Sequence, residues 1–427
     1  MKILYCNKYN YPFSGTEVYL FELMELMRER GHQVALFSMS NPSARPTEYD
    51  QYLMSHLDFK AKARWWQRAW QLGHAIYSID ARRRIRAMIE EFQPDVAHVR
   101  SIYHHLSPSI LWELRSQKVP IIYHINDFKL LCPAYNLVSN GQPCEQCRGG
   151  KFWHALRSSC YRGVGARLAL TTEAYVHRFL GTYKTCVDLF LAPSQFVRDK
   201  FVEHGWEGHK FEVLPHFQRV NEGHGPCREK DSPILYFGRL SAEKGVHDLV
   251  RAMQKVPQMK LIVAGDGPQR RELQELAASL GLSNVEFAGQ VGPEQRDSLI
   301  AQSKFTVLPS HAYETLGKTI LESYGEGRAV VASDLGSRRE FVHDGETGLL
   351  YRTGDVNQLA AAIQSLGSRP ELAEKMGREG REMVRQRHQP EEHYQKLMSL
   401  YKALIERNRM AAATDGLPWV PLREASR

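Results

Sequence analysis

Short apolar runs alternate with longer segments of helical periodicity along most of the chain. Leu20, Leu23, Met24 and Met27 recur at the three- and four-residue spacing of one helix face, and Val34–Phe37 then forms a short apolar run. A regular alternation of strands and helices predicts an α/β fold. The predicted strands lie at residues 2–6, 34–37, 94–99, 120–125, 187–192, 211–214, 233–237, 285–287, 305–308 and 329–332.

A polar segment without apolar periodicity divides the chain. Residues 218–232 contain glycine, proline and a cluster of charges, and we interpret them as a linker. They separate a first domain, residues 1–217, from a second domain, residues 233–389. Beyond the second domain the sequence predicts a helix that ends near residue 407, and a loosely held tail at residues 411–427. A length of 427 residues also favours two or more domains.

Residues 305–334 hold an informative arrangement of charges, because strand, loop, helix and strand follow one another directly. Residues 317–319 open the helix, so their backbone N–H groups can bind an anion. Glu314 precedes the helix and Glu322 lies within it, four residues after Lys318 on the same helix face. A phosphate between two acids would suit a nucleotide sugar, although a surface helix with a Glu/Lys pair would give the same pattern.

A second predicted strand end carries two cations. Residues 233–237 lead directly into Gly238 and Arg239, and Lys244 stands at the start of the next helix. An arginine fork and a lysine point charge together predict a clamp for a diphosphate. Residues 265–267 contain two glycines, but the third glycine of a dinucleotide fingerprint is missing, so we do not expect a nicotinamide cofactor.

The charge is unevenly distributed. Residues 1–218 hold 27 Lys and Arg against 20 Asp and Glu, whereas the remainder holds 29 against 28, and the whole chain carries a formal charge of +8. A basic first half predicts an anionic partner, which could be a phosphorylated acceptor, an anionic membrane or a nucleic acid.

Residues 57–86 concentrate this charge around three tryptophans, Trp65, Trp66 and Trp70. Aromatic rings among cations suit a membrane interface, although a solvated basic helix with its tryptophans in the core also fits. Such a pattern can bind single-stranded nucleic acid, but no RNA-binding motif accompanies it, so we expect no nucleic acid partner.

Apolar runs are everywhere shorter than the roughly 20 residues of a membrane span. The amino terminus, MKILYCNKYNY, has no apolar signal core and predicts a first strand instead. We therefore expect a cytoplasmic protein, with peripheral attachment to the inner membrane face if the basic segment binds lipid.

Four of the seven cysteines fall within one polar, glycine-containing segment. They are arranged as C-x11-C-x2-C-x12-C, which could provide four thiolates for a structural zinc ion. Ordinary buried thiols fit the same pattern, whereas a cytosolic disulfide is not expected. The candidate zinc ligands are Cys132, Cys144, Cys147 and Cys160.

Several of these motifs resemble those of glycosyltransferase family 4, a family of retaining enzymes with the GT-B fold. Glu314 and Glu322 match its E-x7-E motif, and residues 238–245 match its G-R-L-x-x-x-K-G. Gly15, Thr16 and Glu17 at a strand-to-helix turn resemble its G-G-x-E loop, with Ser14 in place of the first glycine. Residues 121–150 resemble a subset of the family in which a His-Asp pair precedes a Cys-Pro and a C-x2-C.

The resemblance implies two doubly wound, Rossmann-like domains that face each other across a cleft, with a last helix at about residues 390–407 that crosses back onto the first domain. It implies that Glu314 contacts the donor sugar, that Glu322 holds the ribose and that residues 15–17 lie beside acceptor and donor phosphates. The donor-binding residues would be Gly238, Arg239, Lys244, Gln290, Val291, Gly317, Lys318, Thr319 and Glu322.

The chain departs from the family pattern at one informative position. Asn126 stands where the family has histidine before Asp127, and His124 is two residues earlier on the same strand face. An asparagine can donate a hydrogen bond to a sugar hydroxyl but cannot carry a proton. The candidate catalytic residues are Glu314, Asn126 and His124.

The function expected from these observations is retaining transfer of a sugar from a nucleoside diphosphate sugar to a glycan or lipid-linked acceptor, in the synthesis of a surface polysaccharide. Since Arg239 and Lys244 provide cations for the diphosphate, we expect no metal in the chemistry. A nucleotide-sugar epimerase of the same fold and a non-catalytic nucleotide-sugar sensor remain alternatives.

Overall fold

The computed structural model describes residues 1–11, 14–41, 44, 46–56, 64–161, 163–223 and 232–413. Three predicted features lie partly or wholly outside these residues: the first part of the basic segment at 57–63, most of the linker at 224–231 and the tail from 414 onward.

The first domain contains a six-stranded parallel sheet with the strand order β2-β1-β3-β4-β7-β8. A short antiparallel hairpin, β5 and β6, lies in the loop after β4. The strands are β1 Lys2–Cys6, β2 Gln33–Phe37, β3 Val96–Val99, β4 Ile121–His124, β5 Val138–Ser139, β6 Gln142–Pro143, β7 Leu189–Ala192 and β8 Phe211–Val213.

Helices cover both faces of this sheet, as in a doubly wound fold. Leu4 and Cys6 pack into one apolar cluster while Ile3 and Tyr5 pack into the other, because successive residues of a strand point to opposite faces. The helices are α1 Gly15–Glu29, α2 Trp65–Ile76, α3 Ile79–Phe92, α4 Ser109–Ser116, α5 His154–Arg157, α6 Val164–Phe179, α7 Thr182–Cys186 and α8 Gln195–Glu203.

One helix prediction for this domain was wrong. The apolar pattern over residues 168–183 indicates a single helix, but the structure has α6 and then the separate short helix α7. Gly181 adopts the left-handed conformation, with φ of +60°, between the two. A left-handed residue cannot continue an α-helix, and glycine adopts it without steric cost.

The second domain repeats the architecture, with the parallel strand order β11-β10-β9-β12-β13-β14. Its strands are β9 Ile234–Phe237, β10 Leu261–Ala264, β11 Val285–Gly289, β12 Phe305–Leu308, β13 Ala329–Ser333 and β14 Gly348–Tyr351. Its helices are α9 Val246–Met253, α10 Arg270–Ser279, α11 Pro293–Gln302, α12 Lys318–Gly325, α13 Arg338–Phe341, α14 Val356–Gly367 and α15 Pro370–Arg387.

The last helix, α16 (Pro390–Ala413), returns to the first domain. Leu397, Tyr401 and Leu404 enter the apolar cluster on one face of the first sheet, and Tyr401 hydrogen-bonds the buried His98 ring of β3 at 2.6 Å. The helix extends six residues beyond its expected end at residue 407. The structure thus has the GT-B arrangement that the sequence predicts, with two Rossmann-like domains and a crossing carboxyl-terminal helix.

In each sheet the strand order reverses once, between β1 and β3 in the first and between β9 and β12 in the second. Ligands of open α/β sheets bind outside the carboxyl ends of strands at such a reversal. No helix in the described part of the chain is long and apolar enough to cross a membrane.

Candidate active site

Backbone contacts join the strand ends of the second domain. The Gly238 N–H donates to the Ala264 carbonyl at 3.0 Å, and the Gly265 N–H donates to the Gly289 carbonyl at 2.6 Å. Gly265 has φ of +144°, and a Cβ there would lie 1.9 Å from the Gly238 carbonyl oxygen. Only glycine fits at this position, so the ends of β9, β10 and β11 form one closely packed floor.

An ion pair occupies the reversal point of this sheet. The Lys244 ammonium, after β9, lies 2.8 Å from Oε1 of Glu314, which follows β12. Burial alone would raise the pKa of the Glu314 carboxyl, but the charges of Lys244 and Arg338 outweigh it and hold the pKa below its usual value. Glu314 is therefore an ionised carboxylate at neutral pH. The exposed Arg239 follows β9, five residues before Lys244.

The loop that carries Glu314 is fixed from behind by residues that the sequence analysis missed. The Arg338 guanidinium has no exposed surface and donates to the carbonyls of Ser310, Ala312 and Ser333 at 3.0, 3.1 and 2.8 Å. The Ser337 hydroxyl donates to the Glu314 carbonyl at 2.7 Å. An arginine with several backbone partners gives no periodic sequence signal, which explains why it was not found.

A second buried pair holds this loop from the side of β9. His311 Nε2 lies 2.7 Å from Asp248 Oδ2, and His247 Nε2 lies 3.3 Å from Asp248 Oδ1. Among the described residues these three form the one group of histidine, cysteine and acidic side chains whose ligand atoms all lie within 4.8 Å of one another. The Asp248–His311 contact anchors the loop after β12 to α9, whose first turn follows Lys244.

The amino terminus of α12 faces the first domain. Gly317 caps the helix with φ of +88°. The backbone N–H groups of Lys318 and Thr319 lie in the first turn, so they have no carbonyl partner within the helix. The Lys318 ammonium reaches across the cleft to Glu22 of α1 at 2.5 Å rather than along the helix to Glu322. The expected pairing along one helix face is therefore replaced by a contact between the two domains.

Glu322 pairs instead with a residue outside the predicted set. Its Oε1 lies 2.9 Å from Nη1 of Arg296 in α11. Burial raises the pKa of the Glu322 carboxyl above its usual value, although Arg296 and Lys318 partly offset the effect. The Glu322 carboxylate is thus buried, and the positive charge of Arg296 stabilises its ionised form.

Two of the predicted donor-binding residues, Gln290 and Val291, lie at the edge of the second sheet. Gln290 is exposed directly after β11, and Val291 is half-buried against the apolar cluster that contains Leu235 and Phe237. One strand, β10, separates this segment from β9, which leads into Gly238.

Polar contacts from the second domain bind α8 of the first domain. The Glu340 carboxylate accepts hydrogen bonds from the backbone N–H groups of Gln195 and Phe196 at 2.9 and 2.5 Å. The Ser194 hydroxyl donates to the Thr315 carbonyl at 2.7 Å. A carboxylate at a helix amino terminus is favourable electrostatically, so these contacts hold the two domains together beside Glu314.

Asn126 faces Thr315 across the cleft, and its carbonyl accepts the Thr315 hydroxyl at 3.3 Å. Its side-chain oxygen accepts from Nη2 of Arg100 at 2.5 Å, and its Nδ2 donates to the Ser101 hydroxyl at 3.3 Å. Arg100 itself is fully buried against the Tyr19 ring. Arg100 therefore orients the amide of Asn126, a role that spacing along the chain could not reveal.

His124 lies behind this point and has no exposed surface. Its ring packs against those of Tyr19, His98 and His216. Burial, with the nearby charge of Arg100, holds the pKa of His124 well below its ordinary value, so the ring is neutral.

Asp127 is a further titratable group at this strand end. Burial raises the pKa of its carboxyl to about 6, although the Lys129 N–H, which donates to it at 2.9 Å, and the Lys129 charge lower it. Lys129 in turn forms a buried ion pair with Glu173 of α6 at 2.8 Å.

The predicted phosphate loop stands at the start of α1. Gly15 is exposed with open space around its α-carbon, Thr16 is half-buried, and the buried Glu17 accepts the Ser14 hydroxyl at 2.6 Å. The two residues before Ser14 lie outside the described part of the chain.

The four cysteines of the predicted zinc set share one small region after β4 and are all free thiols. Cys160 packs against the cluster that contains Cys132 and also against the one that contains Cys147. Burial, together with the nearby thiols of Cys132, Cys144 and Cys160, raises the pKa of Cys147 to about 12. Within this described set, no three sulfur atoms lie within 4.8 Å of one another.

The cysteine loop reaches the second domain through Glu145. Its carboxylate accepts the Tyr313 hydroxyl at 3.0 Å and pairs with Lys200 of α8 at 2.8 Å. Since Tyr313 immediately precedes Glu314, the loop contacts the segment that holds the ionised carboxylate.

Two parallel sheets whose charged strand ends meet across a cleft define a GT-B glycosyltransferase architecture. The profile described as a glycosyl transferase 4-like domain matches residues 14–216, and the profile described as glycosyl transferases group 1 matches residues 221–383. Together they cover both domains, and the chain belongs to the GT-B glycosyltransferases of the GT4 type.

Individual relatives agree with this assignment. The chain is 31% identical over 218 residues to the lipopolysaccharide core biosynthesis glycosyltransferase LpsE of Rhizobium meliloti, a match that covers 48% of this chain and 63% of LpsE. It thus spans less than two thirds of that relative.

Solved structures show the same fold at low identity. Sucrose-phosphate synthase from Thermosynechococcus elongatus superposes with a TM-score of 0.73 at 21% identity and covers 95% of this chain and 100% of its own. The Anabaena protein HepE in complex with UDP-glucose gives 0.67 at 19% identity, with 94% and 100% covered.

Proposed function

We propose that this protein transfers a sugar from a nucleoside diphosphate sugar to an acceptor, with retention of configuration at the anomeric carbon. The ion pair between Lys244 and Glu314 carries the proposal. In a nucleoside diphosphate sugar the sugar hydroxyls and the outer phosphate lie a few bonds apart. A cation for the phosphate and a carboxylate for the hydroxyls must therefore be neighbours, as these two side chains are.

In the proposed reaction, the bond between the anomeric carbon and the diphosphate oxygen breaks while a bond to the acceptor hydroxyl oxygen forms. The hydroxyl proton passes to the diphosphate or to solvent. Negative charge gathers on the leaving diphosphate, where Lys244, the exposed Arg239 and the N–H groups of the first turn of α12 are placed to stabilise it. Donor binding would draw Lys244 from Glu314 to the phosphate.

Glu314 is suited to orient the sugar and to face positive charge at the anomeric carbon. Its lowered pKa keeps it ionised, so it accepts hydrogen bonds from sugar hydroxyls and does not act as a proton donor. Its backbone is fixed by Arg338 and Ser337, which favours a preorganised position. Retention is supported by the resemblance of Glu314 and Glu322 to the E-x7-E motif.

Asn126 is placed to bind an oxygen of the reacting sugars. Arg100 holds its side-chain oxygen, and Ser101 takes one hydrogen of its amide nitrogen. The second amide hydrogen has no partner in the described part of the chain and can donate to a hydroxyl oxygen. The neutral, enclosed His124 would support this region from behind.

For the acceptor we propose a glycan or a lipid-linked sugar of surface polysaccharide synthesis. LpsE, the relative described above, is a lipopolysaccharide core biosynthesis enzyme by name, and a further relative, 34% identical over 163 residues, is the D-rhamnosyltransferase WbpZ of Pseudomonas aeruginosa. The excess of cations in residues 1–218 would favour an acceptor that carries phosphate.

The proposal is tested by incubating the protein with a panel of nucleotide sugars, with and without acceptors, and measuring released nucleoside diphosphate. Release that requires an acceptor supports transfer. Isomerised donor without release would indicate an epimerase, and binding without either product would indicate a sensor. The Lys244→Ala variant should lose release, whereas Arg271→Ala, a change of an exposed arginine in α10, should not.

We also propose that the four-cysteine loop holds a structural zinc ion. Four thiols around one small cluster provide the sulfur ligands that zinc prefers. The raised pKa values of Cys132 and Cys147 mean that a metal would have to displace their thiol protons. The ion would draw the sulfurs closer together and stiffen the loop that presents Glu145 to Tyr313.

A further inference from the structure

The exposed apolar side chains of this protein are concentrated in one region. Of the 14 large hydrophobic residues that are exposed in the described part of the chain, 12 fall between residues 66 and 180, and two, Val202 and Met410, lie elsewhere. Scattered single hydrophobic residues are ordinary on a protein surface, but a concentration of this kind marks an interaction site.

The main contributor is α6, which has two chemically different faces. Val164, Leu168, Tyr175 and Phe179 fall within a sector of about 60° at 3.6 residues per turn, and all four are exposed, Phe179 at 90%. On the opposite side Glu173 is buried in its ion pair with Lys129. The helix therefore presents an apolar stripe to the outside of the molecule.

Helices α2 and α5 pack against α6 and extend this stripe. Trp66 and Trp70 are one helical turn apart on α2 and are 48% and 59% exposed. Trp153, just before α5, donates its backbone N–H to the Tyr175 hydroxyl at 3.1 Å. We call the exposed apolar side chains of these helices the aromatic face, which comprises Trp66, Trp70, Trp153, Leu156, Val164, Leu168, Tyr175 and Phe179.

The charges around the aromatic face are predominantly positive. Residues 64–79 and 146–180 contain eight Lys and Arg and one carboxylate, Glu173, which points inward. Arg64 stacks over the Trp66 ring at 5.1 Å, and Arg157 stacks over the Trp153 ring at 5.0 Å. The exposed cations are Arg64, Arg68, Arg148, Lys151, Arg157 and Arg178.

Exposed tryptophans framed by arginine match the chemistry of an anionic lipid surface, and the exposed carboxylate of the nearby Asp80 is neutralised by its ion pair with Arg84 at 3.0 Å. The rings lie at headgroup depth in such an interface while the cations meet lipid phosphates. A second copy of this chain would bring the same cations together, and like charges repel. Charge complementarity therefore favours a bilayer over a second copy.

The aromatic face is also linked to the proposed acceptor side of the cleft. Lys129, the partner of Glu173 on the inner face of α6, lies two residues after Asp127 and three after Asn126. A membrane against the outer face would therefore lie beside the loop that carries Asn126.

We propose that the aromatic face docks the protein onto an anionic membrane, so that a lipid-linked acceptor enters the cleft from the bilayer. The second clause rests on the proposed function, whereas the docking itself does not. Binding combines insertion of the aromatic side chains with attraction of the arginines to the lipid headgroups, so it weakens as salt screens the charges.

The test measures partitioning of the full chain onto vesicles of phosphatidylcholine with and without phosphatidylglycerol, at low and high salt. We expect binding to the anionic vesicles only, with a fall at high salt. Each of Arg68→Glu and Arg157→Glu should lower the partition coefficient by about fivefold or more, and Trp70→Ser and Phe179→Ser should lower it as well. These side chains are exposed, so the variants should fold normally.

Matched controls lie outside the aromatic face. Arg271→Glu changes an arginine that is 90% exposed in the second domain, and Met410→Ser changes a methionine that is 61% exposed on α16. Both should bind vesicles like the wild type. Equal losses in control and face variants would overturn the proposal, as would absence of binding at low salt.

Two further readouts separate the alternatives. If the face variants change the oligomeric state in sedimentation but leave vesicle binding intact, the face joins copies of this chain and the proposal is wrong. Turnover with a soluble acceptor, measured without vesicles, should be unchanged in the face variants. If neither the wild type nor the variants turned over substrate, the proposed function would be wrong. The vesicle-binding measurement would then still test the docking by itself.

Discussion

The Lys244 ammonium and the Glu314 carboxylate lie 2.8 Å apart, although 70 residues separate them in the chain. The pair forms because β9 and β12 are neighbours at the point where the strand order of the second sheet reverses. A donor that enters this point would meet a cation and an ionised carboxylate at once. The two residues thereby mark the expected junction of phosphate and sugar.

Removal of either cation of the clamp should slow the reaction. Lys244→Ala and Arg239→Ala should each lower kcat/KM by roughly 10²–10³, as for other preorganised groups that stabilise developing charge. Steady-state kinetics with the best nucleotide sugar measures the effect, and circular dichroism checks the fold. Near-normal rates in both folded variants would remove the clamp from the mechanism.

Arg296 should be important for stability as well as for the donor site. Arg296→Ala would leave the buried Glu322 carboxylate without its partner, a change that typically costs about 3–5 kcal/mol. Chemical denaturation should show this loss.

The double variant Arg296→Ala/Glu322→Gln removes the uncompensated charge and should recover part of the stability. Because burial already raises the pKa of Glu322, Arg296→Ala alone should be less destabilised at acid pH, where Glu322 becomes protonated. A loss that is equal at every pH, with no recovery in the double variant, would contradict the assigned pairing.

Asp127 should make stability depend on pH. The pKa of its carboxyl is raised from 3.8 to about 6 in the fold, so the folded state binds the proton more tightly than the unfolded state. Its contribution is then present in full below pH 4 and is lost as the pH rises through 6.

Asp127→Asn keeps the oxygen that accepts the Lys129 N–H and removes the buried charge. We expect it to raise the free energy of unfolding by up to about 3 kcal/mol at pH 7.5 and by little at pH 4. A variant that is equally stabilised, or destabilised, at both pH values would show that the Asp127 charge is not the cause.

The cysteine loop should contain metal. Protein purified without chelator should hold about one zinc ion per chain, measured by elemental analysis, and Cys144→Ser should lose it together with thermal stability. Cys186→Ser is the matched control, because Cys186 is a buried free thiol in α7, outside the loop. A metal-free wild type of full stability, or formation of disulfides among the four cysteines, would refute zinc binding.

The sequence predicted the fold because strand and helix patterns are local. Runs such as Phe305–Leu308 and Ala329–Ala332 are apolar on both faces, and they form adjacent buried strands. The break between α6 and α7 was missed because apolar spacing continues across Gly181, where only the backbone conformation changes.

The site could be predicted where its residues lie in the loops that follow strand ends. Arg239 and Lys244 lie in the loop after β9 and Glu314 in the loop after β12, and the structure pairs Lys244 with Glu314 at the reversal point. Arg296 and Arg338 could not be found in this way, because they lie on other elements and act through contacts between elements distant in the chain.

The central claim is that the second domain activates a nucleotide sugar at Lys244 and Glu314 for retaining transfer. Proton NMR of a reaction with a nucleotide sugar and its acceptor tests it most directly, because one spectrum reports donor, product and anomeric configuration. The account predicts nucleoside diphosphate and glycosylated acceptor in equal amounts, with the configuration of the donor retained, and no product from Lys244→Ala. An inverted product, a donor isomerised without acceptor, or unchanged turnover by Lys244→Ala would contradict it.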